Sequence, residues 1–393
     1  LQQSTENGLG LNLYVDGRFG SFSTNRLDKK ELETLITNGI ESTRYLAVDE
    51  SRMLADPARY YKGGKPDLQL FDKKLYEVNP DDKVAIARAA AEEVLGKDER
   101  IISVDSSYSD GEGSSYRLIS NGFEGESKST WFSVSASVSI KGEGEARPQD
   151  YWYDSALFYD KLTKTGIGAK ALERVLRKLG QKKAKSGKYT MVVDPMNVGN
   201  LLSPMLSALY GSALQQKNSF LMDKLDTKVA SDLFTLRDEP HAIGANGSRY
   251  FDNEGVATEP RTVFDKGVLK TYFIDTYNGK KMDIAPTISA PSRLILTPGD
   301  KDLNGLVADI KQGILVTGFN GGNSNSSTGD FSYGIEGFLI EDGKLTQPVN
   351  EMNVTGNMVT LWNSLVAVGN DPQPNRSWQI PSLVFEGVDF SGL

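Results

Sequence analysis

One stretch of the sequence, residues 127–140, alternates apolar and small polar side chains. Its apolar members share one face of an extended strand: Phe132, Val134, Ala136, Val138 and Ile140. Its serines share the opposite face: Ser133, Ser135, Ser137 and Ser139. Because successive side chains of a strand point to opposite faces, this pattern predicts an antiparallel sheet that packs one face on a core and exposes the other to solvent.

The rest of the N-terminal region predicts a mixture of strands and helices. Residues 9–23 alternate around an Asp-Gly turn, which predicts a hairpin. Apolar residues at helical spacing predict a helix after the cap residue Asp28, a second over 81–95 and a third over 168–179. The stretch 51–80 carries Asp-Pro, Gly-Gly and further Pro signals, and it is predicted to be an exposed loop.

Two other features of this region are open to interpretation. Strands are predicted over 101–107 and 116–120, on either side of a glycine-rich turn, with a tight Asn-Gly turn following. A basic run lies on and beyond the polar face of the third helix: Arg174, Arg177, Lys178, Lys182, Lys183 and Lys185. A solvated helix end is favoured over a binding patch, because cations are stabilised near the carboxyl end of a helix.

The chain length of 393 residues exceeds the size at which one core keeps growing, which predicts two domains. Residues 1–186 are predicted to form an α/β domain with an antiparallel sheet and helices. Residues 187–393 are predicted to form a β-rich domain, because short strands separated by turn pairs recur there. The fold class is therefore α+β. The Gly/Asn/Ser-rich segment 318–330 is interpreted as a flexible surface loop or an active-site rim.

The charge balance narrows the possible partners. A net charge of −8 and a pI near 5.1 argue against direct nucleic-acid binding, which needs clustered Lys and Arg. No apolar run long enough for a membrane span and no signal peptide is visible. The absence of cysteine fits a reducing compartment, so the predicted location is the cytoplasm.

A single histidine, His241, and the absence of cysteine exclude many catalytic and metal sites. A zinc hydrolase site takes three protein ligands, usually His with Asp, Glu or Cys, so a His-based site cannot be built. A Ser-His-Asp arrangement would have to use His241, and a Cys-His arrangement is impossible without a thiol. We therefore assign no catalytic residue and no metal ligand.

Three residues remain functional candidates: His241, Asp252 and Glu254. His241 lies beside two carboxylates and could act as a general base with a raised pKa, although a hydrogen-bonded loop residue is the favoured interpretation. Asp252 and Glu254 could form a carboxylate pair. However, the sequence Asn-Glu-Gly around Glu254 is typical of a turn, and a structural role is favoured there too.

Five segments, taken in order, resemble one known family. They are GKYTMVVDP at 187–195, FDNEGVAT at 251–258, DKGVL at 265–269, GDFSYG at 329–334, and VGND at 368–371 closing toward PSL at 381–383. Together they resemble the TldD/PmbA family, also called the modulators of DNA gyrase. The resemblance extends over essentially the whole chain.

The resemblance implies one of two branches. The TldD-like branch carries an HExxxH helix and is a zinc-dependent peptidase, whereas the PmbA-like branch, also called TldE, lacks the motif and pairs with the first. On this sequence the motif helix corresponds to residues 201–211. The motif positions are Ser203, Pro204, Met205, Leu206, Ser207 and Ala208.

These residues lack the chemistry that the motif provides. The motif glutamate acts as general base on metal-bound water, and Pro204 cannot accept a proton. Ser203 and Ala208 are poor or impossible zinc ligands. We expect the segment to pack as core through Met205, Leu206 and Leu209, and a metal site rebuilt from nearby Asp and Glu is the alternative.

The resemblance therefore implies a non-catalytic PmbA/TldE-like subunit of a cytosolic peptidase complex. It implies zinc in a TldD-like partner, no cofactor in this chain, and an extended peptide as substrate. A homodimer is possible when the chain is alone. One alternative is a homo-oligomeric binding or regulatory protein without a peptidase role, such as a gyrase modulator. Another is an independent peptidase that uses a carboxylate metal site or His241.

Overall fold

The computed structural model describes residues 1–393. Its strands are β1 (Leu9–Val15), β2 (Arg18–Thr24), β3 (Ile101–Ile119), β4 (Phe123–Ile140), β5 (Gln149–Ala156), β6 (Gly187–Val193), β7 (Leu236–Asp238), β8 (Arg261–Asp265), β9 (Val268–Leu269), β10 (Leu294–Leu296), β11 (Gln312–Ser324), β12 (Asp330–Glu341), β13 (Lys344–Asn357), β14 (Leu365–Val368), β15 (Trp378–Gln379) and β16 (Leu383–Ser391). Its helices are α1 (Lys29–Thr43), α2 (Pro80–Glu92), α3 (Ile167–Leu176), α4 (Gly199–Ser207), α5 (Gly211–Gln215), α6 (Thr276–Met282), α7 (Leu303–Ala308) and α8 (Met358–Asn363). No helix combines the length and the apolar character that a membrane crossing would need.

This mixture of helices and strands confirms the α+β class. We call residues 1–186 the N-terminal half and residues 187–393 the C-terminal half. A domain boundary between them stays a prediction. The three predicted helices of the N-terminal half are present as α1, α2 and α3.

The predicted N-terminal hairpin is formed by β1 and β2, and α1 packs against it. Asp28 caps α1, because its Oδ1 accepts a hydrogen bond from the backbone N–H of Glu31 at 3.1 Å. Gly20 lies where α1 approaches β2, and a Cβ at this position would come within 2.3 Å of Thr43 Oγ1. Glycine therefore permits the close contact between helix and strand.

The strands β3, β4 and β5 form the antiparallel sheet that the alternating pattern predicts. The apolar face of β4 is fully buried, with exposures of 0 or 1%: Phe132, Val134, Ala136, Val138 and Ile140. This face shares one core with residues of α2 and α3. The strand prediction for residues 127–140 is confirmed.

The predicted glycine-rich turn within β3 is wrong. The strand continues through it, and Gly111 and Gly113 pair with Trp131 and Ser129 of β4. A Cβ at Gly111 would lie 3.0 Å from Cζ2 of Trp131. Glycine at this position makes room for an indole ring on the neighbouring strand.

The segment 51–80 is mostly irregular, as predicted, with two short 3-10 helices at Pro57–Arg59 and Lys73–Tyr76, but it is not simply exposed. Ala55, Tyr60 and Leu68 are only 3–5% exposed. The backbone N–H of Tyr61 donates to the carbonyl of Gly255 at 3.0 Å, which ties the segment to the C-terminal half. Turn signals predict an irregular backbone, but they do not reveal that a distant part of the chain covers it.

The C-terminal half is β-rich, as predicted, and it contains a closed barrel. Strands follow the order β13-β12-β11-β6-β16-β14, and β13 also pairs with β16, so five strands close on themselves and β14 lies outside. A second sheet has the order β15-β10-β7-β8-β9. A core of 43 buried residues joins both sheets with α4 and α8.

The prediction of a loop over 318–330 is wrong for most of the segment. β11 continues to Ser324 and β12 begins at Asp330, so only residues 325–329 connect the two strands. The register between β11 and β12 shifts between Val316 and Gly318 and again between Phe319 and Gly322. Glycines at such irregular positions belong to β-bulges, which a composition argument takes for a loop.

The basic end of α3 is not a solvated helix end as a whole. Arg174 lies 3.3 Å from Asp150, and Lys178 lies 3.2 Å from Asp150 and 2.7 Å from Glu336. The side chains of Arg174 and Lys178 are only 15% and 12% exposed, because the C-terminal half covers them. The last three lysines of the run are exposed, as predicted. Since Asp150 belongs to β5 and Glu336 to β12, these ion pairs join the two halves.

Candidate functional site

Helix α4 carries the motif positions, and its apolar side belongs to the main core. Trp362 is completely buried and donates its Nε1 to the carbonyl of Leu201 at 3.3 Å. The apolar side chains of this segment are 0–2% exposed: Leu201, Leu202, Met205, Leu206 and Leu209. The expectation that the segment packs as core through Met205, Leu206 and Leu209 is confirmed.

The residues at the key motif positions do not fit a zinc ion. Ser203 is exposed and Pro204 is half-buried, whereas Ala208 is only 1% exposed, so the first and last positions face different surroundings. Only Ser203 has a donor atom in its side chain, and a serine hydroxyl is not a usual zinc ligand. The structure contains no group of three or more His, Asp or Glu side chains that could hold a metal ion.

The other candidates lie in or near the loop 250–258, which we call the site loop. This loop contacts the segment 51–80 and the tip of the β3–β4 hairpin. Tyr61 stacks on Tyr250 with ring centroids 5.0 Å apart, and Phe123 meets Phe251 edge-on at 5.0 Å. Three distant parts of the chain therefore build the region.

Asp252 holds the site loop in its turn. Its Oδ1 accepts hydrogen bonds from the backbone N–H groups of Glu254 at 2.8 Å and Val256 at 3.0 Å. Its Oδ2 accepts a third from the N–H of Ser289 at 3.0 Å. The side chain is only 2% exposed. Both oxygens thus serve the backbone, which agrees with the structural role favoured from the sequence.

Glu254 points to the first residue of α6. Its Oε2 accepts hydrogen bonds from both the N–H and the hydroxyl of Thr276, each at 3.0 Å. Burial raises the pKa of Glu254, the hydrogen bond from the Thr276 N–H lowers it, and the Asp252 carboxylate raises it. The two carboxylates influence each other electrostatically, but each binds a different part of the backbone.

His241 is held by a hydroxyl group. Its Nε2 lies 3.0 Å from Oγ1 of Thr258, and that hydroxyl donates to the carbonyl of Arg249 at 2.6 Å. Since the hydroxyl proton is used, the Thr258 oxygen accepts and Nε2 of His241 donates. Burial lowers the pKa of His241, and the nearby Lys65 lowers it further. This direction is opposite to the raised pKa considered from the sequence, and the contact with Thr258 agrees with the hydrogen-bonded loop residue that was favoured.

The sequence did not indicate four arginines that lie near the site loop or near Asp238: Arg59, Arg249, Arg261 and Arg293. Asp238 is 2% exposed and accepts hydrogen bonds at 2.9 Å from the N–H groups of Ser292 and Arg293. Burial lowers the pKa of Arg261, and the carboxylates of Asp238 and Asp252 oppose that shift. These arginines come from separate segments without a common spacing, so no local pattern could have identified them.

The buried side-chain nitrogen and oxygen atoms without a partner all lie in this region: Arg59 Nη1, Arg261 Nε, Arg293 Nε and Ser289 Oγ. None of these atoms is reachable from solvent. Asp252, Glu254 and His241 are each engaged by hydrogen bonds within the protein. These hydrogen bonds therefore hold the backbone of the C-terminal half and do not direct the three candidates at one common substrate position.

Comparison with protein families gives two matches along the chain. Residues 73–179 match the PmbA/TldA metallopeptidase central domain. Residues 186–392 match the PmbA/TldA metallopeptidase C-terminal domain.

Individual relatives agree with these matches. The chain is 28% identical to a metalloprotease PmbA homologue of Haemophilus influenzae, over 99% of this chain and 86% of that protein. It is 73% identical to a candidate modulator of DNA gyrase from Bacteroides thetaiotaomicron, whose crystal structure matches with a TM-score of 0.99 over 100% of this chain and 90% of the other. TldE from Thermococcus kodakarensis shares the fold, with a TM-score of 0.81 at 22% identity over 96% and 88% of the two chains.

Proposed function

The chain belongs to the PmbA/TldD metallopeptidase family, and from this membership we propose that it is a TldE-like subunit without a zinc site of its own. A TldD-like partner carries the HExxxH helix, whose zinc ion supplies an activated water for peptide hydrolysis. The proposed substrates are extended or unfolded peptides. The proposed location is the cytoplasm, which the absence of cysteine supports.

One observation carries this proposal: helix α4 has exchanged metal-binding chemistry for packing. Ala208, at the last motif position, is 1% exposed and has no side-chain atom that can bind zinc, and Pro204 has none either. Rebuilding a site here would require two imidazoles in a helix whose last motif position lies inside the core. A subunit that depends on a partner for its metal needs no such site.

The sheets also offer surfaces for a partner or an extended peptide. β5 ends the three-stranded sheet and β14 ends the sheet that contains the barrel, so each pairs on one side only. An unpaired strand edge can bind an extended peptide through backbone hydrogen bonds. In the proposed complex such edges help to hold a peptide near the partner's zinc ion, and a homodimer is the proposed state when the partner is absent.

The test is a cleavage assay with this chain, an HExxxH-bearing relative from the same organism, and an unstructured peptide. We expect cleavage only in the equimolar mixture and its loss when a chelator is added. The matched control replaces the motif glutamate of the relative by glutamine, which removes the general base. Chelator-sensitive cleavage by this chain alone would overturn the proposal, and so would equal cleavage by the relative alone.

A variant of this chain tests whether His241 has a catalytic role of its own. We expect His241→Ala to leave the cleavage rate of the mixture unchanged, because His241 already donates its Nε2 proton to Thr258. Loss of a general base costs on the order of 100-fold in rate. A loss of that size, with assembly intact by size-exclusion chromatography, would assign His241 to the chemistry.

A second candidate is a regulatory protein that acts on gyrase. The name of the 73% identical Bacteroides protein favours it. The measurement is DNA supercoiling by purified gyrase with and without an equimolar amount of this chain. Unchanged supercoiling removes this candidate, and a change in the absence of any TldD-like subunit supports it.

A further inference from the structure

A cleft of about 520 Å³ lies between α3 and the C-terminal half. Three cations on or just after α3 form one wall: Lys170, Arg174 and Arg177. The opposite wall belongs to the C-terminal half and includes Asp302 at the start of α7. Pockets for small ligands usually measure about 300–1,000 Å³, so this cleft has the volume of a binding site.

The basic wall has hydrogen-bond donors that the protein itself does not use. Arg174 bonds only through Nε, to Asp150, and its two terminal nitrogens have no protein partner. Its guanidinium lies 5.5 Å from the ring centroid of Trp152. Arg177 lies 4.6 Å from the ring centroid of Phe338, and its one ion pair is a 3.8 Å contact with Glu173. Two guanidinium groups with unused N–H donors can bind a carboxylate.

The ion pairs behind this wall fix Arg174 before any ligand arrives. Asp150 is 6% exposed and contacts both Arg174 and Lys178, and Lys178 also contacts Glu336. A side chain that is already ordered loses little further conformational entropy on binding. Arg174 is therefore preorganised toward the cleft.

The opposite wall offers an acceptor for a positive charge. Asp302 uses Oδ1 to cap α7, with the N–H of Gly305 as donor at 2.8 Å, and its Oδ2 has no protein partner. Asp371 also lines the cleft, but both of its oxygens accept hydrogen bonds, from Ser382 and Leu303. Asp302 thus has a carboxylate oxygen that can accept a hydrogen bond from an ammonium group.

The lining between the two walls mixes apolar and polar side chains. The apolar ones include Trp152, Leu303, Val307, Leu315 and Leu345, and the polar ones include Asp194, Asn304, Thr317 and Gln373. A ligand with a carboxylate at one end, an ammonium at the other and apolar side chains between them matches the basic wall, Asp302 and the apolar part of this lining. We propose that the cleft binds a short peptide with free termini. Its C-terminal carboxylate bonds to Arg174 and Arg177, and its amino group faces Asp302.

This inference rests on the proposed function only for the source of the ligand, because peptide cleavage yields products of this class. The binding site itself lies wholly within this chain. Its test therefore needs neither a partner subunit nor a cleavage reaction. Failure of the binding test leaves the cleavage assay standing, and failure of the cleavage assay leaves the binding test standing.

The experiment is isothermal titration calorimetry of the full chain with trileucine, its C-terminal amide and its N-acetyl form. We expect the free peptide to bind, and each blocked form to bind at least about tenfold more weakly, because each loses a charge-assisted contact. No binding of trileucine would overturn the proposal. Equal binding of the amide would overturn the role of the arginines, and equal binding of the acetylated form would overturn the role of Asp302.

Variants of the basic wall sharpen this test. Arg177→Gln should weaken trileucine binding by roughly tenfold, and Arg174→Lys should also weaken it, because lysine keeps the charge but loses the fork. Arg147→Gln is the matched control, since Arg147 is exposed and does not line the cleft. Thermal unfolding shows whether each variant is folded. Unchanged binding in both Arg177→Gln and Arg174→Lys would overturn the proposal.

Discussion

Helix α4 is held mainly by apolar packing, whereas the site loop depends on hydrogen bonds to carboxylates in addition to its aromatic contacts. The buried side of α4 is apolar, and the helix stays in position although it has no residue of the zinc motif. The site loop is held by two carboxylates, Asp252 and Glu254, that accept hydrogen bonds from backbone groups 37 and 22 residues away in sequence. The first arrangement needs no motif residue, because packing requires only that volume and polarity match. The second depends on particular atoms.

The largest effect is expected where packing alone acts. Met205→Ala should lower the free energy of unfolding by about 3 kcal/mol, because Met205 is 0% exposed and its loss leaves a cavity. Ser203→Ala on the exposed side of the same helix should change it by less than about 0.5 kcal/mol. Urea denaturation measures both. Equal costs for the two variants would mean that the exposed face of α4 has a structural role that the contacts do not show.

A somewhat smaller effect is expected in the site loop. Asp252→Asn should cost about 2 kcal/mol, because the amide keeps one acceptor oxygen and leaves buried N–H groups without their charged partner. Asn253→Ala, at an exposed position of the same turn, is the matched control and should cost under about 0.5 kcal/mol. Equilibrium unfolding compares the two variants. A cost for Asp252→Asn as small as that of the control would contradict the proposed role of hydrogen bonds in holding the loop.

The smallest effect is a dependence on pH that only the site loop should show. Burial raises the pKa of Glu254 above its ordinary value of 4.5, so the folded state binds its proton more tightly than the unfolded state does. The stability of the wild type relative to Glu254→Gln should therefore be highest below pH 4.5 and should fall as the pH rises through the raised pKa.

The measurement is the difference in unfolding free energy between wild type and Glu254→Gln from about pH 4 to about pH 8. Met205→Ala serves as the reference, because its side chain does not titrate and its cost should be the same at every pH. A difference for Glu254→Gln that rises with pH would show that hydrogen bonds from Thr276 outweigh burial.

Features that depend on the order of neighbouring residues were predictable from the sequence. The alternation over 127–140 predicts the buried face of β4, and the helical spacing after Asp28 predicts α1. The apolar residues Met205, Leu206 and Leu209 indicated a packed helix where the family motif is missing. In each case the signal lies within a single helix or a single strand.

Features that depend on a distant partner were not predictable. Arg59 donates a hydrogen bond to the carbonyl of Thr287, 228 residues away in sequence. No sequence pattern near either residue predicts this contact. The basic run after α3 was interpreted from its own helix, but Asp150 and Glu336 decide the environment of Arg174 and Lys178. The sequence pattern places Gly111 in a turn, because glycine is typical of turns. Its contact with Trp131 becomes visible only when β3 and β4 are paired. The role of such polar residues and glycines depends on which distant residues the fold brings next to them.

The closure of the barrel has a consequence for how the chain acquires its structure. β6, the first strand of the C-terminal half, pairs with β16, and Gly187 lies opposite Phe390. β16 also pairs with β13, so it is the strand that closes the barrel between β6 and β13. Contacts between residues so far apart in sequence form slowly, because the intervening chain must first be brought together. During synthesis the barrel cannot close until β16 has left the ribosome. Until then β6 and β13 each have an unpaired edge, and such edges make a partly folded chain prone to aggregation.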